Sequence, residues 1–550
     1  MTSLVASKQF WQLRSDLKKA RELFKLTASL PRFFREKVSL SQAEEGIKRA
    51  LENRNNTFLE LARTQIYEYP RSPYLQLLRL VGCEFSDLCA HVHYHGLENT
   101  LRKLAMEGVY LTSDEFKGKK EVVRGGFSFR VCPGDFEFAI SRPAFYFQST
   151  GTKNKPVSTS TSLDWLSLRA LGTAVFSSAH DLYSYSHALY DAILPANSLN
   201  HLLTNAKIGM RTERWFARRI PANNTLEKLY FRSVTYLIVL MGKRFGPNFP
   251  RPEFLSIQDI RRIVDWIAVE KRSGRNCYII TVASSAVRIA QMAWKLGVSL
   301  EGTKFNVAGE PFTEAKAKTI EKVGATSTSR YSYGGGNPVG FGCARPIHRD
   351  EIHVSQHLVA AISNAKPVPQ VEEQIHPLLL TTLHSAAPRL LLNVENGDYV
   401  VTEERECGCA LEKVGLKLHL HHIRSYEKFT SEGMNYFYGD LYELFEKVFP
   451  SEFGGEPGDY QLVEEEEHDG QTRLALKVHP SVDNLDESKL LERLRIALAN
   501  GSRGNRFMTG VWQEAGSFKL KREIPHASPR GKILPLHISQ PKIKLRAREG

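Results

Sequence analysis

The spacing of apolar residues changes several times along the chain. Over residues 8–65 they recur every three or four places among charges, at Phe10, Leu13 and Leu17 and through the run 43–61. That period predicts helices. Ser41, ahead of Glu44 and Glu45, is the predicted cap of the second stretch. Pro70 and Pro73 punctuate a short predicted helix within 67–80. Residues 121–147 are predicted strands, carried by the stretches 125–130 and 136–140. From 165 to 203 the pattern is helical. Between 228 and 335 short apolar runs alternate with amphipathic stretches. The run 234–240 is followed by a helix over 257–270, a buried strand over 278–282 and a helix over 286–296. A strand over 304–309 and a helix over 313–323 come next. Strand and helix in turn predict a parallel α/β sheet. The runs 378–383 and 388–394 are predicted strands at hairpin spacing. Beyond residue 424 a helix over 438–449, strands over 460–467 and 472–478, and a helix over 487–499 predict a compact α+β module.

Length and charge narrow the picture. A chain of 550 residues is too long for one simple core, which predicts at least two domains. No run approaches the roughly 18 apolar residues of a membrane span. Residues 1–25 are broken by charges and lack the apolar core of a signal peptide, so a cytoplasmic location is expected. The formal net charge of +14 favours anionic partners. These could be nucleic acid or a phosphate-rich cofactor, but the basic residues are spread along the chain and form no recognised nucleic-acid-binding motif; a small anionic substrate explains the charge as well, and plain solubility explains it with no function at all. Seven cysteines are too few and too scattered for a disulfide framework. Cys83, Cys89, His91, His93 and His95 have a zinc-like look. Alternating histidines on a strand would face one side without converging on an ion, so a structural role is expected there.

One polar loop carries candidate chemistry. After the apolar run 144–147, Ser149, Thr150, Gly151 and Thr152 precede Lys153, Asn154, Lys155 and Pro156. Backbone N–H groups, hydroxyls and ammonium groups in one loop suit a polyphosphate. A solvated turn is the plainer reading, and the loop is not the common GxxxxGK[ST] phosphate loop. Its weight comes from an ordered set of motifs further along the chain: Val307-Ala-Gly-Glu-Pro, Tyr331-Ser-Tyr-Gly-Gly-Gly-Asn, Asn396-Gly-Asp, Arg424-Ser-Tyr-Glu, Gly433 and Pro529-Arg-Gly-Lys. This ordered series, over roughly residues 45–536, resembles the adenylate-forming (acyl-activating) superfamily and, within it, the phenylacetate–coenzyme A ligase-like branch.

The resemblance implies a large α/β N-terminal domain with parallel and mixed sheets and a small mobile α+β C-terminal domain. The expected division is an N-terminal helical segment at 1–65, a large ATP- and acyl-binding domain at 66–423, the small domain at 424–536 and a basic tail at 537–550. The implied reaction is that of an AMP-forming acid–thiol ligase. A carboxylic acid, aromatic or otherwise hydrophobic, is activated by ATP to an acyl-adenylate and passed to coenzyme A. Transfer to a carrier protein, a protein cysteine or an amine, and a non-catalytic binding role, remain as alternatives. Ser149, Thr150, Gly151, Thr152 and Lys155 would wrap the β,γ-phosphates. Gly309, Glu310 and Pro311 would line the adenine. Tyr333, Gly334, Gly335 and Gly336 would wall the adenine from the acyl pocket. Asp398 would hold the ribose hydroxyls, Arg424 would reach ribose or phosphate, and Lys532 would be catalytic, on the carboxylate and α-phosphate. Residues around Glu427 and Lys428 would be the hinge, and Gly433 would face the thiol tunnel.

Two departures from the family pattern stand out. Asn337 occupies the place of a magnesium-binding glutamate, and it can offer a carbonyl oxygen but no charge. The phosphate loop is poor in glycine and rich in lysine. A structural zinc is also implied, on Cys343, His353, Cys407 and Cys409, with His348 competing as the nitrogen ligand. His419, His421 and His422 are expected on a strand near the hinge, without metal.

Overall fold

The computed structural model describes residues 21–138, 144–148, 158–194, 196–218, 225–333, 337–363, 376–426, 428–431, 434–437, 441–500, 503–527, 533 and 536–538. A twelve-stranded sheet forms the body. Its strands in chain order are β1 (Ser186–Tyr190), β2 (Thr212–Arg218), β3 (Pro252–Leu255), β4 (Cys277–Val282), β5 (Thr303–Ala308) and β6 (Thr326–Tyr333). They continue with β7 (Asn337–Gly342), β8 (Ile352–Val354), β9 (Val359–Ser363), β10 (Pro377–Thr382), β11 (Val394–Glu404) and β12 (Leu418–Ser425). The order across the sheet is β9-β10-β11-β12-β8-β7-β6-β5-β4-β1-β2-β3.

The first six strands are mutually parallel wherever they pair. The turn between β6 and β7 reverses the direction, and every pairing from there is antiparallel. This matches the sequence pattern. Helices intervene where the crossovers are long, and hairpin spacing takes over where they are absent.

Helices cover both faces of the parallel half. Leu163–Ala179 and Ser198–Lys207 pack on one face, around Leu166, Leu189, Leu202 and Trp215. Arg261–Arg272, Ala283–Lys295 and Glu314–Glu321 cover the other, around Ile263, Ile279, Val287 and Phe305. The antiparallel half packs against Pro73–Leu80, Phe85–His95 and Leu97–Met106. A separate four-stranded sheet comes next, built from β13 (Tyr460–Glu466), β14 (Thr472–Val478), β15 (Phe518–Arg522) and β16 (Leu536–Ile538), in the order β15-β14-β13-β16. It has its own core, in which Phe449, Tyr460, Leu474, Leu490 and Trp512 meet.

Several local expectations are corrected. The helix Leu40–Glu52 is capped by Ser39, not Ser41, because Ser39 Oγ accepts from Gln42 N and Gln42 Oε1 accepts from Ser39 N. The histidines at 91, 93 and 95 lie on the helix Phe85–His95 rather than a strand. His91 meets Lys103 Nζ at 3.1 Å and stacks on His95, and no metal cluster forms there among the described residues. Residues 133–136 form a 3-10 turn that buries Phe136, where a strand over 136–140 was predicted. The helical reading of 165–203 hid β1, whose five residues are all buried. A strand buried on both faces shows no alternation, and its aromatic flanks mimic a helix. Residues 388–393 lead into β11 without pairing as a strand.

Candidate functional site

Gly309, Glu310, Pro311 and Tyr333 lie at the carboxyl ends of the parallel strands β5 and β6, where open α/β sheets place their ligands. Gly309, at the end of β5, has φ +83, a conformation that glycine adopts without Cβ strain. Its neighbour Glu310 turns inward. Its Oε1 accepts from Ser284 N at 3.2 Å and Ser284 Oγ at 2.5 Å, at the start of the helix Ala283–Lys295. Lys316 Nζ stands 3.6 Å from Glu310 Oε2 and donates to Pro311 O at 2.9 Å. Glu310 thus ties the Gly309–Pro311 corner to two helices, which leaves exposed Gly309 as the approachable surface.

Tyr333 and Asn337 face each other across the β6–β7 reversal. Both line a small cavity with Trp165, Leu358, Leu380 and Arg389. Asn337 Oδ1 is buried with no hydrogen-bond partner among the described residues.

Asp398 is held in a compact network. Tyr331 O–H donates to Asp398 Oδ2 at 2.6 Å, Asn396 Nδ2 donates to the same oxygen at 3.3 Å, and Asp398 N donates to Asn396 Oδ1 at 3.1 Å. Asn396 Nδ2 also donates to the Tyr331 oxygen. Burial, and then the Asp398 charge, push the Tyr331 phenol far above its ordinary range, so it stays a donor. Arg424 lies elsewhere. Asp398 opposes Ser425 and Tyr399 opposes Arg424 in the β11–β12 register, so Asp398 and Arg424 project to opposite faces. Arg424 Nη1 is bound to Asp350 Oδ2 at 2.7 Å. Tyr331, Asn396 and Asp350 therefore position the predicted residues, yet none was assigned a role from the sequence. Tyr331 and Asn396 each stand two places before a chosen residue, on the same strand face, and that spacing was the available signal.

The four metal candidates converge. One ligand atom from each of Cys343, His353, Cys407 and Cys409 lies within 4.8 Å of the others, and all four residues are buried. His353 on β8 donates from Nδ1 to Leu416 O at 2.6 Å. That bond leaves Nε2 toward Cys409 Sγ at 3.2 Å and Cys407 Sγ at 3.6 Å. Fixing one ring nitrogen on a carbonyl so that the other faces the ligand position is how metal-binding histidines are oriented. Cys409 N donates to Cys407 Sγ at 3.4 Å and Arg345 N to Cys343 Sγ at 3.3 Å, contacts that favour thiolates. Cys409 is lowered strongly, first by the hydrogen bond with Cys343 and then by His353 against burial, and the Cys343 thiol rises correspondingly. Three sulfurs and an imidazole in a closed buried set fit a tetrahedral zinc. His348 does not compete. It stacks on His421, with ring centres 4.1 Å apart, and groups with His422. His419, His421 and His422 are on β12 as expected.

Ser149, Thr150, Gly151, Thr152, Lys155, Gly334, Gly335, Gly336, Glu427, Gly433 and Lys532 lie outside the described residues.

No family model matches the chain, and no curated protein matches it. Solved structures do. A 2-hydroxyisobutyryl-CoA ligase in complex with 2-HIB-AMP and CoA, in the thioesterification state, superposes with a TM-score of 0.53 at 14% identity, over 92% of this chain and 91% of that one. The same ligase in the postadenylation state with 2-HIB-AMP gives a TM-score of 0.44 at 15% identity, over 92% and 91%. No helix among the described residues is long and apolar enough to cross a membrane. Near-complete coverage by the first of these structures, and the division into a large mixed sheet and a small α+β unit, show that the chain shares the fold of that 2-hydroxyisobutyryl-CoA ligase.

Proposed function

We propose that this protein is an AMP-forming acid–thiol ligase. A carboxylate oxygen attacks the α-phosphorus of ATP, pyrophosphate leaves, and the acyl-adenylate is then attacked by the thiol of coenzyme A with loss of AMP. The observation that carries the reading is the Tyr331–Asn396–Asp398 network beside the Tyr333–Asn337 reversal, at the ligand-binding edge of a sheet with this fold. Asp398, fixed by three hydrogen bonds, would accept from the ribose hydroxyls. Exposed Gly309 would receive the adenine face. Ser149, Thr150, Gly151, Thr152 and Lys155 would hold the β,γ-phosphates.

Lys532 would neutralise the carboxylate and α-phosphate oxygens as they meet, and this is electrostatic positioning rather than bond chemistry. Arg424 would have to exchange Asp350 for the nucleotide to take its ribose or phosphate role. Asn337 Oδ1, an acceptor left without a donor, suits a hard cation, and magnesium there would screen the phosphate charges.

The large domain would end near residue 423. A small domain from 424 would carry Lys532 and rotate between the half-reactions, in a cytoplasmic enzyme. Zinc on Cys343, His353, Cys407 and Cys409 would pin the loop after β7 to the strand entering β12. The apolar lining from Trp165, Leu358 and Leu380 supports an acid with an aromatic or other hydrophobic body, as in the phenylacetate–coenzyme A ligase-like branch.

Pyrophosphate exchange across a panel of carboxylic acids tests the first half-reaction, and thioester formation followed by mass tests the second. ATP binding without exchange on any acid would sink the enzymatic reading. Adenylate without thioester would move the acceptor away from coenzyme A. A Lys532→Ala variant is expected to lose adenylation while still binding ATP.

A further inference from the structure

Among the described residues, three N–H donors are buried without acceptors around the start of the helix Leu163–Ala179. Trp165 Nε1 and Arg169 Nη1 stand four residues apart, on one face of the helix, and Arg330 Nε lies on β6 beneath it. Each is sealed from solvent, and Arg169 as a whole is 8% exposed. Trp165 lines the cavity that also contains Tyr333 and Asn337. Arg330 Nη1 is 2.7 Å from His201 Nε2, whose neutral imidazole can accept but brings no charge.

The groups that face the arginines are few. Asp191, at the end of β1, interacts with both Arg218 and Arg330. Tyr278 Oη accepts from Asn306 Nδ2 at 2.6 Å and is a neutral phenol. Burial pulls the Arg169 guanidinium down to about 9, with the Arg330 charge adding to the effect, and burial pushes His201 well below its usual range. Among the described residues the neighbourhood is thus rich in positive charge, with the Asp191 carboxylate to balance it. Cations kept from water without a partner cost several kcal/mol, so a fold that retains them has an anion to place there.

Resting on the ligase reading above, we infer that the acid taken by this enzyme carries a second carboxylate, which Arg169 and Arg330 receive together with Trp165 Nε1. The reacting carboxylate would then lie at the Tyr333–Asn337 end, and the apolar body would cross the cavity. A planar guanidinium matches a carboxylate fork, and two of them behind Trp165, outside the present cavity lining, would set both the charge and the length of the substrate. The substrate is then a dicarboxylic acid of moderate length. The product is a mono-thioester that keeps one free acid.

The test uses matched pairs, hexanoate against adipate and phenylacetate against 4-carboxyphenylacetate, in pyrophosphate exchange with the full chain. The diacid is expected to be preferred in kcat/KM by at least about a hundredfold, short of the roughly 10⁴–10⁵-fold reached by sites built to hydrogen-bond a group that the analogue lacks. Arg169→Met and Arg330→Met are expected to raise KM for the diacid and to shrink that preference, while Arg169→Lys retains part of it. Equal use of both members of each pair, or variants that slow both alike, would overturn the inference and leave the ligase reading intact. Thermal shift with adipate and hexanoate, without ATP, gives an independent readout if no acid supports exchange. Stabilisation by adipate that Arg169→Met abolishes supports the pocket, and no difference between the two acids overturns it.

Discussion

Leu416 O decides what His353 can do. By accepting the Nδ1–H hydrogen bond at 2.6 Å it turns Nε2 toward Cys407 and Cys409, the orientation that a zinc ion on these residues would need. Glu351 supports the same region, since it accepts from His419 Nδ1 at 2.7 Å and pairs with Arg405, whose Nη2 reaches to 3.8 Å from Cys343 Sγ. Purified protein is expected to contain about one zinc per chain, and Cys407→Ser with Cys409→Ser is expected to lose it and to lower the melting temperature. Elemental analysis checks this. Retention of zinc by the double variant would remove these cysteines from the ligand set. At this scale the sequence was legible where a chemical type is diagnostic. Cys407 and Cys409, separated by one residue, with Cys343 and His353 upstream, stand where the family resemblance implies a zinc set. Tyr331, Asn396 and Asp350 could not be named from the string, because tyrosine, asparagine and aspartate are common, and only the strand register makes them partners of Asp398 and Arg424.

Between elements, packing leaves no slack where β6 meets β7. A Cβ on Gly342 would sit 1.9 Å from Thr328 Oγ1 and 2.5 Å from Ser329 O, and the second of these is backbone that cannot step aside. Gly342→Ala is expected to cost about 1–3 kcal/mol by overpacking and to disturb Cys343 next to it. A melting curve and a zinc assay on one preparation would show both effects. An unchanged melting temperature would mean that the strands can part freely.

A second junction joins the helix Ser113–Phe116 to the hairpin that begins at Val122–Arg124. Arg124 donates to Glu115 from Nη1 at 2.8 Å and from Nη2 at 3.1 Å. Burial alone would raise the Glu115 carboxyl. Hydrogen bonds from Arg124 and from Thr112 N outweigh it and hold the group below the usual range. A depressed carboxylate contributes stability above the ordinary glutamate pKa, and that contribution is lost as pH falls through the folded value. Arg124→Met is expected to cost about 3 kcal/mol at neutral pH, with the loss shrinking toward acid. Denaturant midpoints compared at pH 7 and pH 4 test the sign, and a loss that grows on acidification would refute it. The elements read correctly from sequence were those with a clear period, such as the alternating strands and helices of 257–323. β1 escaped because burial on both faces removes the period. The helix Phe85–His95 was mistaken for a strand because alternate histidines resemble a pleat, while its buried Leu88 and Val92 keep helical spacing.

The whole molecule is held in its present arrangement by a polar seam between the small unit and the parallel half of the large sheet. Thr313 Oγ1 donates to Glu466, with Oε1 at 2.6 Å, and Lys316 Nζ lies 3.7 Å from the same carboxylate. Gln291 Nε2 donates to Asp469 O at 3.2 Å and Oδ2 at 3.1 Å, Thr319 Oγ1 donates to Asp469 O at 3.0 Å, and Arg288 Nη2 donates to Ala515 O at 2.9 Å. Glu466, within the glutamate run 464–467 at the end of β13, is the contact that crosses. This seam is polar and partly exposed, unlike the apolar cores on either side of it, and seams of that kind separate readily. Lys316 joins it to the site, since it also pairs with Glu310 behind Gly309. If the two half-reactions use two placements of the small unit, removing these contacts should disfavour the placement that uses them and leave the other untouched. Glu466→Ala with Gln291→Ala deletes two hydrogen-bonded contacts of about 1 kcal/mol each. The ratio of adenylation to thioester-forming rates is therefore expected to shift by roughly thirtyfold, with ATP affinity nearly unchanged. Single-turnover measurements of each half-reaction give that ratio. If it stays constant while both rates fall together, the seam is a static support and the proposed rotation of the small unit loses its basis.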